Sequence, residues 1–97
     1  MLTDDLYKIV FKDDNKAIIK LSDCNHPVFK AHFPGNPILP GFINFDIISE
    51  LFNFNITKIK KAKFIKTIKP NQIITYERNG NNFKVFCEKE NVISITL

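Results

Sequence analysis

A histidine and an acidic residue in this chain are of types that can carry out acid–base chemistry. His32 opens the stretch HFPGNPILPG, residues 32–41, and Asp46 follows fourteen positions after that histidine. A neutral imidazole can remove a proton near neutral pH. A carboxyl group held among apolar side chains has a raised pKa and can act as an acid. The pair could therefore supply a base and an acid, although a single loop histidine is more often structural.

Asp46 belongs to a polar stripe on one face of a predicted helix. Ser49, Glu50 and Asn53 follow it at i+3, i+4 and i+7. The stripe is either the solvent side of an amphipathic helix or the place of a functional carboxylate. Glu50 either raises the pKa of Asp46 as a like charge or faces solvent. His26 is interpreted as structural or incidental, and its replacement is expected to change little.

The segment between His32 and the helix is stiffened by proline. Pro34, Pro37 and Pro40 recur every third residue. Each proline fixes its own φ and favours extended geometry in the residue before it. The segment is therefore predicted to be a rigid strut that holds the imidazole at a set distance from the helix. Gly41 leaves room for another group to approach closely where the unpaired N–H groups of a helix start point outward.

Strands and one apolar helix are predicted to position these residues. Apolar side chains cover most of the helix circumference, so we expect it to be buried on nearly all sides. Such a helix needs a sheet curled around it, which predicts an α+β fold with antiparallel pairing. Asn79-Gly80 predicts a short hairpin turn. The predicted elements are strands at 6–11, 16–21, 56–68, 72–78, 82–89 and 92–97, a loop at 22–40 and a helix at 41–53.

Composition indicates one folded domain, residues 1–97. The chain is 44% hydrophobic and contains ten phenylalanines, which argues against disorder. A domain of this size buries a modest fraction of its surface, so a partner subunit would add stability. The acidic start of the chain is unlike a signal peptide, and no apolar run is long enough to cross a bilayer. Cys24 and Cys87 then read as free thiols, and the expected location is cytoplasmic.

Basic residues are concentrated in one part of the chain. The net charge is +4, and six of the fourteen basic residues lie within twelve positions. Such a stripe either docks an acidic partner or is a solvated strand face that discourages edge pairing. Aromatic residues spaced as in a single-strand nucleic-acid binder do not accompany it, which disfavours nucleic acid. The six are Lys58, Lys60, Lys61, Lys63, Lys66 and Lys69.

The stretch HFPGNPILPGFINFD resembles the active-site motif of the β-hydroxyacyl-acyl carrier protein dehydratases of the FabA/FabZ type. That motif has His-Phe, a glycine, Pro-x-x-Pro-Gly and an acidic residue fourteen positions after the histidine, here Asp46. The later run KAKFIKTIKPNQIITYE is similar to the family's strand pair after the helix. The compact length looks most like the ApeI-type dehydratases. The resemblance implies a hotdog fold, an antiparallel β-sheet wrapped around one long central helix.

The resemblance also implies a reaction and its residues. A 3-hydroxyacyl thioester on an acyl carrier protein would lose water to give the trans-2-enoyl product, with no metal or other cofactor. The Gly41 N–H would bind the thioester carbonyl, His32 would remove the C2 proton and Asp46 would protonate the leaving hydroxyl. Further substrate contacts are predicted at Phe33, Pro40 and Phe42.

The partners implied are an acyl carrier protein and a second copy of this chain. In the family, the histidine works with the carboxylate of the other subunit of a dimer. Lys61, Lys63 and Lys66 are the predicted docking residues for the carrier protein. Two other functions remain open from the sequence: a hotdog acyl thioesterase, and a catalytically silent module that binds acyl carrier protein.

Overall fold

Six strands and two helices are present in the computed structural model, which describes residues 3–31 and 35–97. The runs of β-branched residues form strands, and the breaker-free apolar run after Pro40 forms the longer helix. In chain order the elements are β1 Tyr7–Lys12, β2 Lys16–Leu21, α1 Pro27–Ala31, α2 Ile43–Phe52, β3 Lys61–Phe64, β4 Ile73–Asn79, β5 Asn82–Cys87 and β6 Glu90–Thr96.

The strands form one antiparallel sheet in the order β1-β2-β4-β5-β6-β3. Two short hairpins on either side of β5 join β4, β5 and β6. In the first, Asn79 pairs with Asn82, and Gly80 has a φ of +61°, which glycine adopts without strain. The strand β3, which follows α2 in the chain, crosses to the far edge and pairs with β6. The predicted α+β class with antiparallel pairing is confirmed.

The helix α2 contributes one face to the core. Its buried apolar residues join inward-facing residues of the sheet, among them Ile19, Ile74, Val85 and Ile95. The expectation that it is buried on nearly all sides is wrong for the single chain, because several side chains on its outer face are half-buried or exposed. Phe45 and Phe52 are only half-buried, and Phe42, just before the helix, is 53% exposed. The buried apolar residues of α2 are Ile43, Ile47, Ile48 and Leu51.

Two predicted boundaries are wrong. Residues 22–40 were expected to form a loop, but Pro27–Ala31 form α1, which buries Val28 and Phe29. The strand predicted at 56–68 is ordered as a strand only at Lys61–Phe64. It pairs only where β6 offers a partner, from Thr96 to Ile93. The residues after it turn back to the core, where Ile68 O accepts from Leu39 N at 2.7 Å. Neither described helix has the length and apolar character that a bilayer crossing requires.

Candidate active site

The first turn of α2 orients the backbone amide of Gly41. Pro40 O accepts a hydrogen bond from Ile43 N at 3.1 Å, so this carbonyl points along the helix. The C=O and N–H of a trans peptide point in opposite directions, so the Gly41 N–H points away from the helix. Among the described residues this N–H has no acceptor, and it lies at the positive end of the helix dipole. The amide can therefore donate to an incoming oxygen atom.

Two buried polar side chains form hydrogen bonds that stabilise this turn. The Tyr76 hydroxyl donates to Asn44 Oδ1 at 2.7 Å, and Asn44 Nδ2 donates to Gly41 O at 3.2 Å. Burial raises the pKa of Tyr76, so its hydroxyl stays a proton donor. Asn44 is 1% exposed, and a buried amide without partners would cost stability. Sequence reasoning missed this pair, although an asparagine on the apolar face of the helix was a signal for it.

A mostly apolar cleft of about 420 Å³ lies beside Gly41. This volume is within the range of small-molecule sites, which combine apolar walls with a few polar groups. Phe42 lines the cleft, whereas Pro40 is buried and does not; the substrate contact predicted for each stays a prediction. The apolar lining residues other than Phe42 are Ile38, Leu39, Phe45, Phe64, Ile68 and Ile93, and the polar ones are Asn44, Lys66 and Thr67.

Asp46 lies in a different groove, of about 590 Å³, which shares no lining residue with the cleft. Ser49, Glu50 and Asn53 line this groove with it, so the predicted polar stripe does form one surface. Asp46 is exposed. Of the two alternatives that the sequence left open for this stripe, the single chain shows the solvent-exposed one.

Glu50 is exposed as a residue, but its carboxylate is engaged. The Tyr7 hydroxyl donates to Glu50 Oε1 at 2.7 Å, and the Thr3 hydroxyl donates to Oε2. Burial, together with the hydrogen bond to Glu50, raises the pKa of Tyr7 and keeps its phenol protonated. The sequence offered two roles for Glu50, and the structure adds a third: it ties the start of the chain to the outer face of α2.

His26, interpreted from the sequence as structural or incidental, joins two parts of the chain. Its Nδ1 accepts from Val28 N at 3.1 Å, so it caps the start of α1. An Nδ1 that accepts leaves the proton on Nε2 of the neutral ring. That nitrogen lies 2.6 Å from Asp4 O and donates to it. Pro27 occupies the first helical position, where its missing N–H costs nothing.

We expect His26→Ala to lower the free energy of unfolding by about 1–2 kcal/mol, the usual cost of losing a cap. This reverses the expectation that the substitution changes little, because both ring nitrogens have partners. Urea denaturation measures the effect. His26→Asn is the matched control: it keeps a capping oxygen but is too short to reach Asp4, so its loss should be smaller. Wild-type stability in His26→Ala would show that the two hydrogen bonds of the His26 ring do not stabilise the fold.

The three lysines predicted to dock a partner do not share one environment. Cross-strand partners lie on the same face of a sheet. Lys61 and Lys63 pair with Thr96 and Ser94, and therefore lie on the face opposite the core. Lys66 lies beyond the strand, where its Nζ is 2.7 Å from Glu90 Oε2. Lys61 and Lys63 remain candidates for a docking surface, whereas Lys66 already has an acidic partner.

The predicted base lies between the two ranges of residues that the structure describes. His32, Phe33 and Pro34 are outside the described residues. The roles predicted for His32 and Phe33 therefore stay predictions. The first range ends at Ala31, the last residue of α1, and the second begins at Gly35.

A six-stranded antiparallel sheet in the order β1-β2-β4-β5-β6-β3, packed on one central helix, defines this protein as a hotdog-fold domain. Residues 10–94 match a family model described as ApeI-like, ApeI dehydratase. The chain belongs to the ApeI-like dehydratase family. The matched range includes α2, the proline segment, and the lining residues of the cleft beside Gly41 and of the groove that contains Asp46. The family assignment therefore covers the candidate site.

Curated relatives are FabZ-type dehydratases of modest identity. The 3-hydroxyacyl-[acyl-carrier-protein] dehydratase FabZ of Lactobacillus helveticus is 30% identical over 82 residues, which is 66% of this chain and 55% of that protein. The enzyme of the same name from Lactiplantibacillus plantarum is 27% identical over 89 residues, 70% of this chain and 60% of that protein. The chain thus spans little more than half the length of these relatives.

Solved structures show the same fold. One, described as "The Dehydratase Heterocomplex ApeI:P from Xenorhabdus doucetiae", superposes with a TM-score of 0.68 at 18% identity, covering 93% of this chain and 96% of that one. A hypothetical thioesterase from Streptococcus pneumoniae, solved with coenzyme A, has a TM-score of 0.58 at 18% identity, with 93% and 83% covered. At these identities the likeness concerns the fold alone.

Proposed function

We propose that this chain dehydrates 3-hydroxyacyl thioesters carried on an acyl carrier protein to trans-2-enoyl thioesters, in fatty acid or aryl polyene-type biosynthesis. The observation that carries the proposal is the Gly41 amide, which points away from α2 beside a mostly apolar cleft in a chain of the dehydratase family. A thioester carbonyl hydrogen-bonded there becomes more negative as the C2 proton leaves, and the helix dipole stabilises that charge.

His32 is the proposed base and Asp46 the proposed acid. The neutral imidazole takes the C2 proton, and the electron pair of that bond becomes the new C2–C3 double bond. The C3–O bond breaks, and Asp46 gives its proton to the departing oxygen, which leaves as water. Phe42 contacts the acyl chain in the cleft, and Phe33 is proposed to do so.

The site is proposed to be shared between two copies of this chain. Gly41 and Asp46 line separate grooves in the single chain, with no common residue. A carboxylate from a partner resolves this separation, because each chain then supplies its cleft to the other chain's Asp46. Asp46 is also exposed on the outer face of α2 in the single chain, and a second copy packed there would exclude water from the acid.

The proposal is tested by incubating the protein with 3-hydroxyacyl carrier-protein thioesters of graded chain length and following the products by mass spectrometry. Loss of water from the intact thioester is the expected result. Release of free carrier-protein thiol would identify a thioesterase instead. Binding without either product would identify a silent acyl-binding module. Either of these two outcomes overturns the proposal.

The carrier protein is proposed to dock on the face that carries Lys61 and Lys63. We expect Lys61→Glu/Lys63→Glu to raise KM for the carrier-protein substrate roughly tenfold at low salt, because an acidic partner loses electrostatic attraction. KM for an acyl-pantetheine, which lacks the protein, should not change. Lys66 is left intact, since a carboxylate in its place would face Glu90.

The matched control for this docking variant reverses two exposed lysines of the opposite edge strand, Lys8→Glu/Lys12→Glu. It makes the same change in net charge at a distant place, so it should have the smaller effect on the carrier-protein KM. Equal effects of the two variants, or equal effects on both substrates, would refute a local docking surface.

A further inference from the structure

We infer that Phe64 sets which acyl chains the cleft accepts, a role that rests on the proposed dehydratase function. Phe64 is the last residue of the edge strand β3, and 50% of its side chain is exposed. It lines the cleft beside Gly41. A large apolar side chain left half in water at the edge of an apolar cleft gains stability when a ligand covers it.

The ring of Phe64 covers the α-carbon of Gly41. A Cβ added to Gly41 would lie 2.7 Å from Phe64 Cε1 and 3.1 Å from both Cδ1 and Cζ. This contact corrects the expectation that Gly41 leaves room for an approaching group, because the aromatic ring fills that space. The backbone φ there is not positive, so what excludes a side chain is the ring. The N–H that would hold the thioester carbonyl and the ring of Phe64 therefore border the same point of the cleft.

A second ring supports Phe64. Phe45 of α2 meets it edge to face, with the ring centroids 6.3 Å apart and the planes at 77°. Such a pair is favourable beyond the area that it buries. On the strand side, Phe64 pairs with Ile93 of β6, which also lines the cleft. Phe64 thus has defined neighbours on the helix and the sheet, is half exposed and lines the cleft.

The position of the ring predicts its effect on specificity. When the thioester carbonyl binds the Gly41 N–H, the first carbons of the acyl chain must pass the ring of Phe64. A smaller residue at 64 widens the cleft at that point, whereas the apolar wall of Ile38, Leu39 and Ile68 is unchanged. Thioesters with bulkier and longer chains should therefore gain in kcat/KM. Thioesters with short chains should lose, because they lose contact area. Phe64 is therefore proposed as a specificity-determining residue and takes no proton in the reaction.

The contact with Gly41 is tested first, by a double-mutant cycle on stability. Gly41→Ala alone should lower the melting temperature, because its Cβ meets the ring. In Gly41→Ala/Phe64→Ala the obstacle is gone, so the second substitution should offset part of the first. Such a departure from additivity is the mark of residues in contact. Purely additive changes would show that the ring does not cover Gly41 and would overturn the inference.

The specificity is tested with acyl-pantetheine thioesters of graded length and branching. For Phe64→Ala, the ratio of kcat/KM for long or branched chains to that for short chains should rise at least about tenfold, the usual worth of small changes in an apolar pocket. Phe64→Leu should give a smaller change in the same direction and serves if the alanine variant is unstable. Phe11→Ala, a half-exposed phenylalanine on the opposite edge strand, should leave the ratio unchanged.

The outcomes separate this inference from the proposed function. If the wild type dehydrates the series and Phe64→Ala has an unchanged ratio, the inference fails and the function stands. If the wild type dehydrates nothing, the function fails, and calorimetric binding of saturated acyl-pantetheines decides about Phe64. If Phe64→Ala binds the acyl chains with relative affinities different from those of the wild type, the inference is supported. Unchanged relative affinities, or no binding, overturn it. Weaker self-association of Phe64→Ala with unchanged relative affinities would identify the ring as an interface group and also overturn it.

Discussion

Replacing His32 with alanine is expected to lower turnover of a 3-hydroxyacyl carrier-protein substrate by at least about a hundredfold. A general base in position contributes typically 10²–10⁴-fold, and the proposed mechanism has no other group to accept the C2 proton. The melting temperature should stay near that of the wild type, because the sequence predicts a loop at His32 and a loop histidine contributes little to the core. Initial rates at saturating substrate and a thermal melt measure the two effects.

The control for this variant should be a residue close to His32 in the sequence whose side chain does not stabilise the fold. His26 is unsuitable, since its ring caps α1 and holds Asp4. Lys30→Ala, exposed on the same short helix, is the better control and should have wild-type turnover. Near-normal dehydration by His32→Ala on a confirmed substrate would refute the base assignment, while the fold and family would stand.

Replacing Asp46 with asparagine is expected to cost a similar factor, about 10²–10⁴-fold in turnover. An amide of the same shape cannot give a proton to the departing hydroxyl. From the sequence, the variant could have been stabilised by removal of a carboxylate from an apolar site. Asp46 is exposed in the single chain, so the free energy of unfolding of the dissociated chain should instead change by less than about 0.5 kcal/mol. Asp14→Asn, an exposed carboxylate in the β1–β2 turn, is the control and should keep full activity.

The Asp46 variant also tests whether the site is shared. Inactive His32→Ala and Asp46→Asn chains, unfolded together and refolded, should regain activity at a fraction of the sites. A mixed dimer contains one site with an intact histidine from one chain and an intact carboxylate from the other. Each variant refolded alone should stay inactive. Mixed dimers verified by two affinity tags that remain fully inactive would count against sharing.

Local patterns in the sequence were sufficient for most of the fold. Alternating apolar residues and the Asn79-Gly80 turn predicted the β4–β5 hairpin, because strand period and turn chemistry act over a few residues. The breaker-free apolar run after Pro40 predicted α2 to within two residues at its start. The short helix α1 was missed because its cap is a histidine ring, and a histidine is a less common capping residue than serine or aspartate.

The candidate site was predicted only in part. The motif from His32 to Asp46 predicted a base and an acid, and both roles stay predictions. It could not indicate that Tyr76 donates a hydrogen bond to Asn44, which in turn donates to Gly41. Asn44 and Tyr76 are 32 positions apart and meet only when α2 packs on β4. The partners of Glu50, 43 and 47 positions away, were hidden for the same reason.

Periodicity and motif spacing are local, so the class of fold, the family and the residues proposed for catalysis could be inferred from the sequence. Burial and contact depend on how distant parts of the chain pack together. That packing left Asp46 exposed, paired Lys66 with Glu90, and placed the Phe64 ring against Gly41. Each of these outcomes depends on which strand lies beside which, and β3 reaches its position only by crossing the whole sheet to pair with β6. Such long-range pairing leaves no mark in the spacing of neighbouring residues.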